Sequence, residues 1–282
     1  TGEHEAVELR DGDSRRYLGK GTLKAAANAA EVLGKAVAGM DAADQQALDE
    51  KLIAVDGSPN KGRLGANALL GVSMAVSRAA ALCARKPLYR HLRDAFSLSG
   101  VELLLPTPMF NIVNGGKHAD SGLDVQEFMV VPVGASSFGE ALRMGVEVYQ
   151  ALKKLLALRG LSTAVGDEGG FAPRVSAHQD ALDLIMEAVS KSGFEGKVAL
   201  AIDAAASEFY RDGRYVFEKK GLSSAELIGR YEQWSRSYPI LSFEDPLAED
   251  DWSAWKEMTA RLGAKVRIVG DEVHRLDPQL RL

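Results

Sequence analysis

Three carboxylates stand just past three apolar runs. Asp203 follows Val198-Ala199-Leu200-Ala201-Ile202, Glu244 follows Ile240-Leu241-Ser242-Phe243, and Asp271 follows Val266-Arg267-Ile268-Val269-Gly270. Short apolar runs of this kind read as buried strands, and in parallel α/β folds the C-terminal edge of the strands is the face that carries chemistry. Three ionised acids on successive strand ends repel one another, and a divalent cation resolves that repulsion. All-oxygen ligation without Cys or His suits Mg2+, which takes octahedral geometry and keeps water or substrate oxygens in its remaining positions. Acids at strand ends also cap following helices; their recurrence on three successive strands favours the metal. Asp245-Pro246, directly after Glu244, has turn chemistry, so Asp245 takes a supporting role.

Two glycine-rich segments add candidates. Gly115-Gly116-Lys117-His118-Ala119 follows one apolar run, and Gln126-Glu127-Phe128 opens the next. Paired glycines let the backbone approach a ligand closely. His118 has the chemistry to bind an anionic substrate or to move a proton, although a lone loop histidine is more often simply solvated. Gly166-Asp167-Glu168-Gly169-Gly170 places an acid in a loop on the same edge, a candidate general acid or base.

The elements that must position these groups are legible in outline. Residues 6–9 read as a strand, and helices are expected over 22–39, 42–53, 64–84 and 88–92. The third of these is apolar all round, which predicts burial. From Pro106 the pattern changes to strands alternating with capped helices, the mark of a parallel sheet. Strands are expected at 109–113, 128–133, 164–165, 197–202, 240–243 and 266–269. Ser137 with Glu140, Ser176 with Gln179 and Ser223 with Glu226 are capping-box pairs that open helices. Phe138, Leu142, Val146, Tyr149, Leu152 and Leu156 should line the buried face of the first of those. About six strands over some 175 residues fall short of a closed (β/α)8 barrel, which takes eight strands and about 250 residues. The sheet is therefore either open or part of a truncated barrel.

Composition narrows the classes further. The 282 residues are 46% hydrophobic and 26% charged, with a net charge of −5 and the two signs mixed along the chain. No clustered Lys and Arg suggest nucleic acid as a partner, and no continuous apolar run reaches the ~18 residues of a membrane span. A single cysteine, Cys83, rules out a disulfide framework and reads as core; a reducing, cytoplasmic setting fits. The first residues lack both a signal-peptide shape and an initiating Met, as the start of a fragment would.

In order along the chain, several segments resemble the enolase family closely: Gly2 to Asp13, Tyr17-Leu18-Gly19-Lys20-Gly21, Asn60 to Ala68, Asn114 to Ala119, Val125-Gln126-Glu127-Phe128-Met129, Gly166 to Pro173, and Ser242-Phe243-Glu244-Asp245-Pro246. The resemblance implies an enolase-like α/β fold. A small N-terminal α+β domain over 1–100, lacking its beginning, would precede an incomplete (β/α)8 TIM-type barrel over 101–282, lacking its last strands. The barrel's first hairpin would be antiparallel. The implied activity is the Mg2+-dependent dehydration of 2-phosphoglycerate to phosphoenolpyruvate in glycolysis and gluconeogenesis. Asp203, Glu244 and Asp271 match metal ligands, Glu168 the acid that helps the 3-hydroxyl leave, and His118, Gln126 and Glu127 residues lining the substrate site. The family's lysine base and phosphate-gripping Arg-Ser pair would lie past Leu282, and none of Lys197, Lys256 or Lys265 is expected to replace that base. The alternative is a catalytically dead relative acting as a binding protein. Homodimers or larger rings are implied, with no nucleic-acid or membrane partner.

Overall fold

The computed structural model describes residues 4–98, 100, 102–119 and 121–271, and the chain divides into two compact units, the first running to Leu104 and the second from Leu105. The first unit is helical. α1 (Leu23–Ala27), a π-helical turn (Asn28–Leu33) and α2 (Gly34–Val37) replace the single expected helix, and α3 (Gln45–Asp56), α4 (Ala66–Cys83) and α5 (Leu88–Ala95) follow. Asp44 starts α3 by accepting the Ala47 amide at 3.0 Å, and Gly57 ends it with φ +70°. Leu33, Leu48, Leu52 and Leu69 close the core. Asp56 is buried against it, with its carboxylate accepting the Ser58 and Leu64 amides at 2.9 and 2.7 Å.

Three expectations fail in this unit. Residues 6–9 form no strand, because the Val7 amide and carbonyl bond singly to the Asn60 carbonyl and Ala66 amide, which makes no ladder. α4 is not buried all round: by length and composition it could cross a membrane, yet it packs Ala68 and Leu69 into the core and leaves Leu70 and Met74 more than half exposed. Cys83, at its last turn, is exposed rather than core.

In the second unit, β1 (Phe110–Asn114), β2 (Glu127–Val131), β3 (Ala199–Asp203), β7 (Ile240–Glu244) and β8 (Arg267–Val269) make one open sheet in that order. β2 runs antiparallel to both β1 and β3, while β3, β7 and β8 are mutually parallel. The parallel register follows from helices that cross back between the strands. α8 (Ser224–Ser237) returns the chain from the β3 region to β7, and α9 (Trp252–Leu262) carries it from β7 to β8. α6 (Phe138–Leu158) and α7 (His178–Lys191) fill the long connection between β2 and β3. Phe128, Ile202 and Phe243 from the sheet and Tyr231 and Trp234 from α8 share the main core.

Ser137 and Ser223 cap α6 and α8, accepting the amides of Glu140 and Glu226 at 3.2 and 3.3 Å. α7 starts differently from the expected Ser176–Gln179 pair: the Asp180 carboxylate accepts the amides of Ser176 and Ala177 at 3.1 and 3.0 Å. α6 buries the expected Leu152 and Leu156, but in its first half Ala141, Met144, Gly145 and Val148 turn inward and Phe138, Leu142 and Val146 face out. Both stripes have helical spacing; the one with small residues wins because Gly145 receives the Phe110 ring, which would lie 2.4 Å from a Cβ there. Residues 164–165 contribute only an isolated bridge, Val165 to Phe171.

A three-stranded meander, β4 (Tyr210–Arg211), β5 (Arg214–Phe217) and β6 (Lys220–Leu222), was not expected. Its first turn is Asp212-Gly213, both at positive φ, a type I′ hairpin signal present in the sequence. Gly229 lies within α8 with nothing within 4 Å of where a Cβ would stand. Gly229→Ala is therefore expected to stabilise the second unit by about 0.5–1 kcal/mol, readable as a higher urea midpoint.

Candidate active site

The register of the sheet brings acids from three strands into one row. Glu127, the first residue of β2, pairs with Asp203, the last of β3, and Asp203 pairs with Glu244, the last of β7. Because β2 runs antiparallel, its beginning lies at the edge where β3 and β7 end. In-register neighbours project to the same side of a sheet, about 5 Å apart. Asp271 comes two residues after Val269, the partner of Glu244 on β8. Its amide donates to the Asp245 carboxylate at 3.0 Å, and the Asp245 amide donates to the Val269 carbonyl at 3.0 Å. Asp245, buried and at φ +38°, thus ties the end of β8 to the end of β7.

The row is electrostatically tense. Burial, with the Glu244 charge second, pushes the Asp203 carboxyl up to about 7, even though the Ala205 amide donates to it at 3.0 Å. Glu244 is raised by burial and by Asp271. Glu127 is held far above the usual carboxylate range by burial, then by its hydrogen bond to Glu168, then by the charges of Glu168, Asp203 and Glu244. Glu127 therefore favours its protonated form beside Glu168.

Glu168 reaches the row through β1. The side-chain amides of Asn111 and Asn114 donate to its Oε2 at 2.9 and 3.3 Å. The loop that carries it is fixed in turn: the Gly170 amide donates to Asn114 Oδ1 at 2.8 Å, and the Phe171 amide to the Ile112 carbonyl at 2.9 Å. A Cβ on Gly170 would lie 2.7 Å from Asn114 Oδ1 and 2.8 Å from Asn111 Oδ1, so only glycine lets the loop sit this close. Sequence reasoning missed both asparagines. The available signal was two amides inside an otherwise apolar strand, where each needs a partner.

The segment before β2 is pinned from both sides. The Gln126 amide donates to the Asp203 carbonyl at 3.1 Å, while the Gly115 amide donates to the Gln126 carbonyl at 2.9 Å and the Gly116 amide to the Leu123 carbonyl at 2.8 Å. Lys117 is exposed and ion-paired with Glu208. His118 ends the short 3-10 turn Gly116–His118; its side chain lies outside the described residues. Lys197 and Lys265 precede β3 and β8, at the opposite end from the acids, and Lys256 lies within α9.

The chain's likeness to known proteins agrees with this layout. Residues 102–280 match the family description "Enolase, C-terminal TIM barrel domain", and residues 1–92 match "Enolase, N-terminal domain". The chain belongs to the enolase family. It is 53% identical over 279 residues to the enolase of Elusimicrobium minutum and 54% identical over 281 residues to that of Acidothermus cellulolyticus. Each match takes in 99% of this chain, which spans 65% and 64% of the two relatives' lengths. The open five-stranded sheet is thus part of an enolase barrel.

Enolases are typically Mg2+-dependent, and the donor chemistry here fits that ion. The groups on the row are hard carboxylate oxygens whose upward shifts come from burial and from one another, so a cation beside them favours their ionised forms. Among the described residues, no three His, Cys, Asp or Glu side chains converge closely enough to hold an ion as they stand.

Proposed function

We propose that this chain is the larger part of an enolase that dehydrates 2-phospho-D-glycerate to phosphoenolpyruvate, a hydro-lyase of glycolysis and gluconeogenesis. The observation that carries the reading is the in-register row of Glu127, Asp203 and Glu244 at one sheet edge, with Glu168 held by Asn111 and Asn114. Asp203, Glu244 and Asp271 would hold Mg2+. When bound, the ion supplies positive charge for the second negative charge that develops on the substrate carboxylate as C2 loses its proton.

The protein's own groups then divide the work. Glu168, oriented by Asn111 and Asn114, gives its proton to the 3-hydroxyl, which departs as water. Glu127 supports Glu168 by keeping a proton available between them. Gln126, Glu127 and His118 line the substrate site. The base is the family's lysine, and none of Lys197, Lys256 or Lys265 takes that part. The same reading makes residues 1–100 and 101–282 the two domains, the setting cytoplasmic, and the assembly a homodimer or larger ring.

Calorimetry with Mg2+ and 2-phosphoglycerate tests this reading. The expected result is Mg2+ binding that the substrate strengthens and that Glu244→Gln weakens. Where enol product forms, followed by its ultraviolet absorbance, Glu168→Gln should stop it without abolishing binding. Absence of Mg2+ binding, or binding indifferent to Glu244→Gln, would overturn the assignment.

A further inference from the structure

His178 is a buried histidine that the chemistry above does not use. It opens α7, its ring stacks on Phe217 at 4.3 Å and 14°, and Phe128 and Trp234 flank it. Both ring nitrogens are engaged. Nε2 faces the backbone amides of Asp124 and Val125 at 2.9 and 3.3 Å, and Nδ1 faces Glu218 Oε1 at 3.1 Å. Amides only donate and an ionised carboxylate only accepts, so the ring must carry its proton on Nδ1 and leave Nε2 bare.

Three residues from distant parts of the chain close a ring of hydrogen bonds. The His178 side chain accepts from the Asp124 backbone. The Asp124 carboxylate accepts the Glu218 amide at 2.7 Å, and the Glu218 carboxylate accepts the His178 amide at 3.1 Å. Each side chain thus holds the next residue's main chain. Glu218 sits with Lys219 in the β5–β6 turn, both at positive φ, a conformation non-glycine residues adopt only when held there. The bonds from His178 keep the Glu218 carboxyl down at about 2.

What the ring holds is the approach to the acid row. Asp124 and Val125 lead directly into Gln126 and Glu127. We propose that His178 is a positioning residue: kept in its Nδ1–H form by Glu218, it clamps the peptides of Asp124 and Val125 and so sets where Gln126 and Glu127 stand. The clamp is geometric, and its importance for ligand binding rests on the enolase reading of those two residues. The charged groups facing the ring are the Glu218 carboxylate and the Asp124 carboxylate, the latter 3.6 Å from Nε2. Protonating Nε2 would turn the acceptor into a donor and release both amides.

Amide geometry separates the two halves of the clamp. Glutamine at 178 can place its carbonyl oxygen where Nε2 lies, whereas asparagine reaches only the Nδ1 position. Long-range nitrogen–proton correlation of the imidazole in the parent chain is expected to show a protonated Nδ1 and a bare Nε2. Hydrogen exchange at the Asp124 and Val125 amides should accelerate at least ~10-fold in His178→Asn, while His178→Gln stays near the parent. A bare Nδ1 in the parent, or equal protection in His178→Asn and the parent, overturns the proposal. The tautomer is read on the unsubstituted chain, so misfolding of a variant leaves the test intact. These readouts need neither Mg2+ nor substrate. A parent with the expected tautomer that binds no Mg2+ would therefore sink the enolase assignment and leave the clamp standing. With both intact, affinity for 2-phosphoglycerate at saturating Mg2+ should fall ~10-fold in His178→Asn and recover in His178→Gln; unchanged affinity in His178→Asn would deny the positioning role.

Discussion

Asp203→Asn is expected to melt higher than the parent chain at pH 8 in EDTA, and to bind Mg2+ at least ~100-fold more weakly. Both effects come from one cause. The folded Asp203 carboxyl titrates at about 7 because of burial and the neighbouring Glu244 charge, whereas an unfolded aspartate titrates near ~3.9. Between these values the folded chain retains a proton that the unfolded chain has lost. Stability therefore falls as pH rises from about 4 through about 7, by an amount on the order of 3 kcal/mol from this residue alone. Asparagine keeps the shape and the oxygen that accepts the Ala205 amide but carries no charge, so its advantage is absent near pH 4 and full above pH 7. Thermal melts in EDTA across this range read the sign directly. Glu127 and Glu244 are raised as well, and they steepen the same trend. Mg2+ narrows the gap: ~100-fold excess over the parent's dissociation constant adds about 2.7 kcal/mol to the parent and only about 0.4 kcal/mol to a variant that binds ~100-fold more weakly. A parent that grows more stable from pH 5 to pH 8 in EDTA would contradict the electrostatic account of the row.

Gly115→Ala is expected to cost about 2–3 kcal/mol and to weaken Mg2+ and substrate binding together. Gly115 lies outside the left-handed region, with φ −140° and ψ −149°. The obstacle is space. A Cβ there would stand 2.3 Å from the Val125 carbonyl oxygen and 2.7 Å from Leu123 Cβ, atoms of a neighbouring strand entry that cannot rotate away. Relief requires moving residues 123–126, which also breaks the 2.9 Å bond from the Gly115 amide to the Gln126 carbonyl. The segment that the His178 ring clamps on one side is thus wedged from the other. Urea unfolding and calorimetry on the same sample separate the two effects. Parental stability and binding in Gly115→Ala would show that the loop has room to spare.

Much of this layout is written locally in the chain. Strands at 240–244 and 267–269 follow from runs of apolar residues and their spacing. The starts of α6 and α8 follow from Ser137 with Glu140 and Ser223 with Glu226, because a cap is a bond between residues three apart. The positions of Asp203 and Glu244 at strand ends were likewise legible. The ordered motifs were specific enough to indicate the enolase family, which the match over residues 102–280 bears out.

What the sequence left open depends on contacts between distant residues. Periodicity does not distinguish the two apolar stripes of α6; the close seat of Phe110 on Gly145 decides it. The apolar look of α4 does not reveal that Leu70, Met74 and Cys83 stay exposed, because burial belongs to the neighbours as much as to the helix. Glu127 joins the row only because β2 runs antiparallel to β3, which brings the beginning of one strand to the end of the other. Asn111 and Asn114 meet Glu168 across 57 and 54 positions of chain, and His178 meets Asp124 and Glu218 across 54 and 40. Such pairings depend on which surfaces pack together, and only the folded sheet with its helices specifies that.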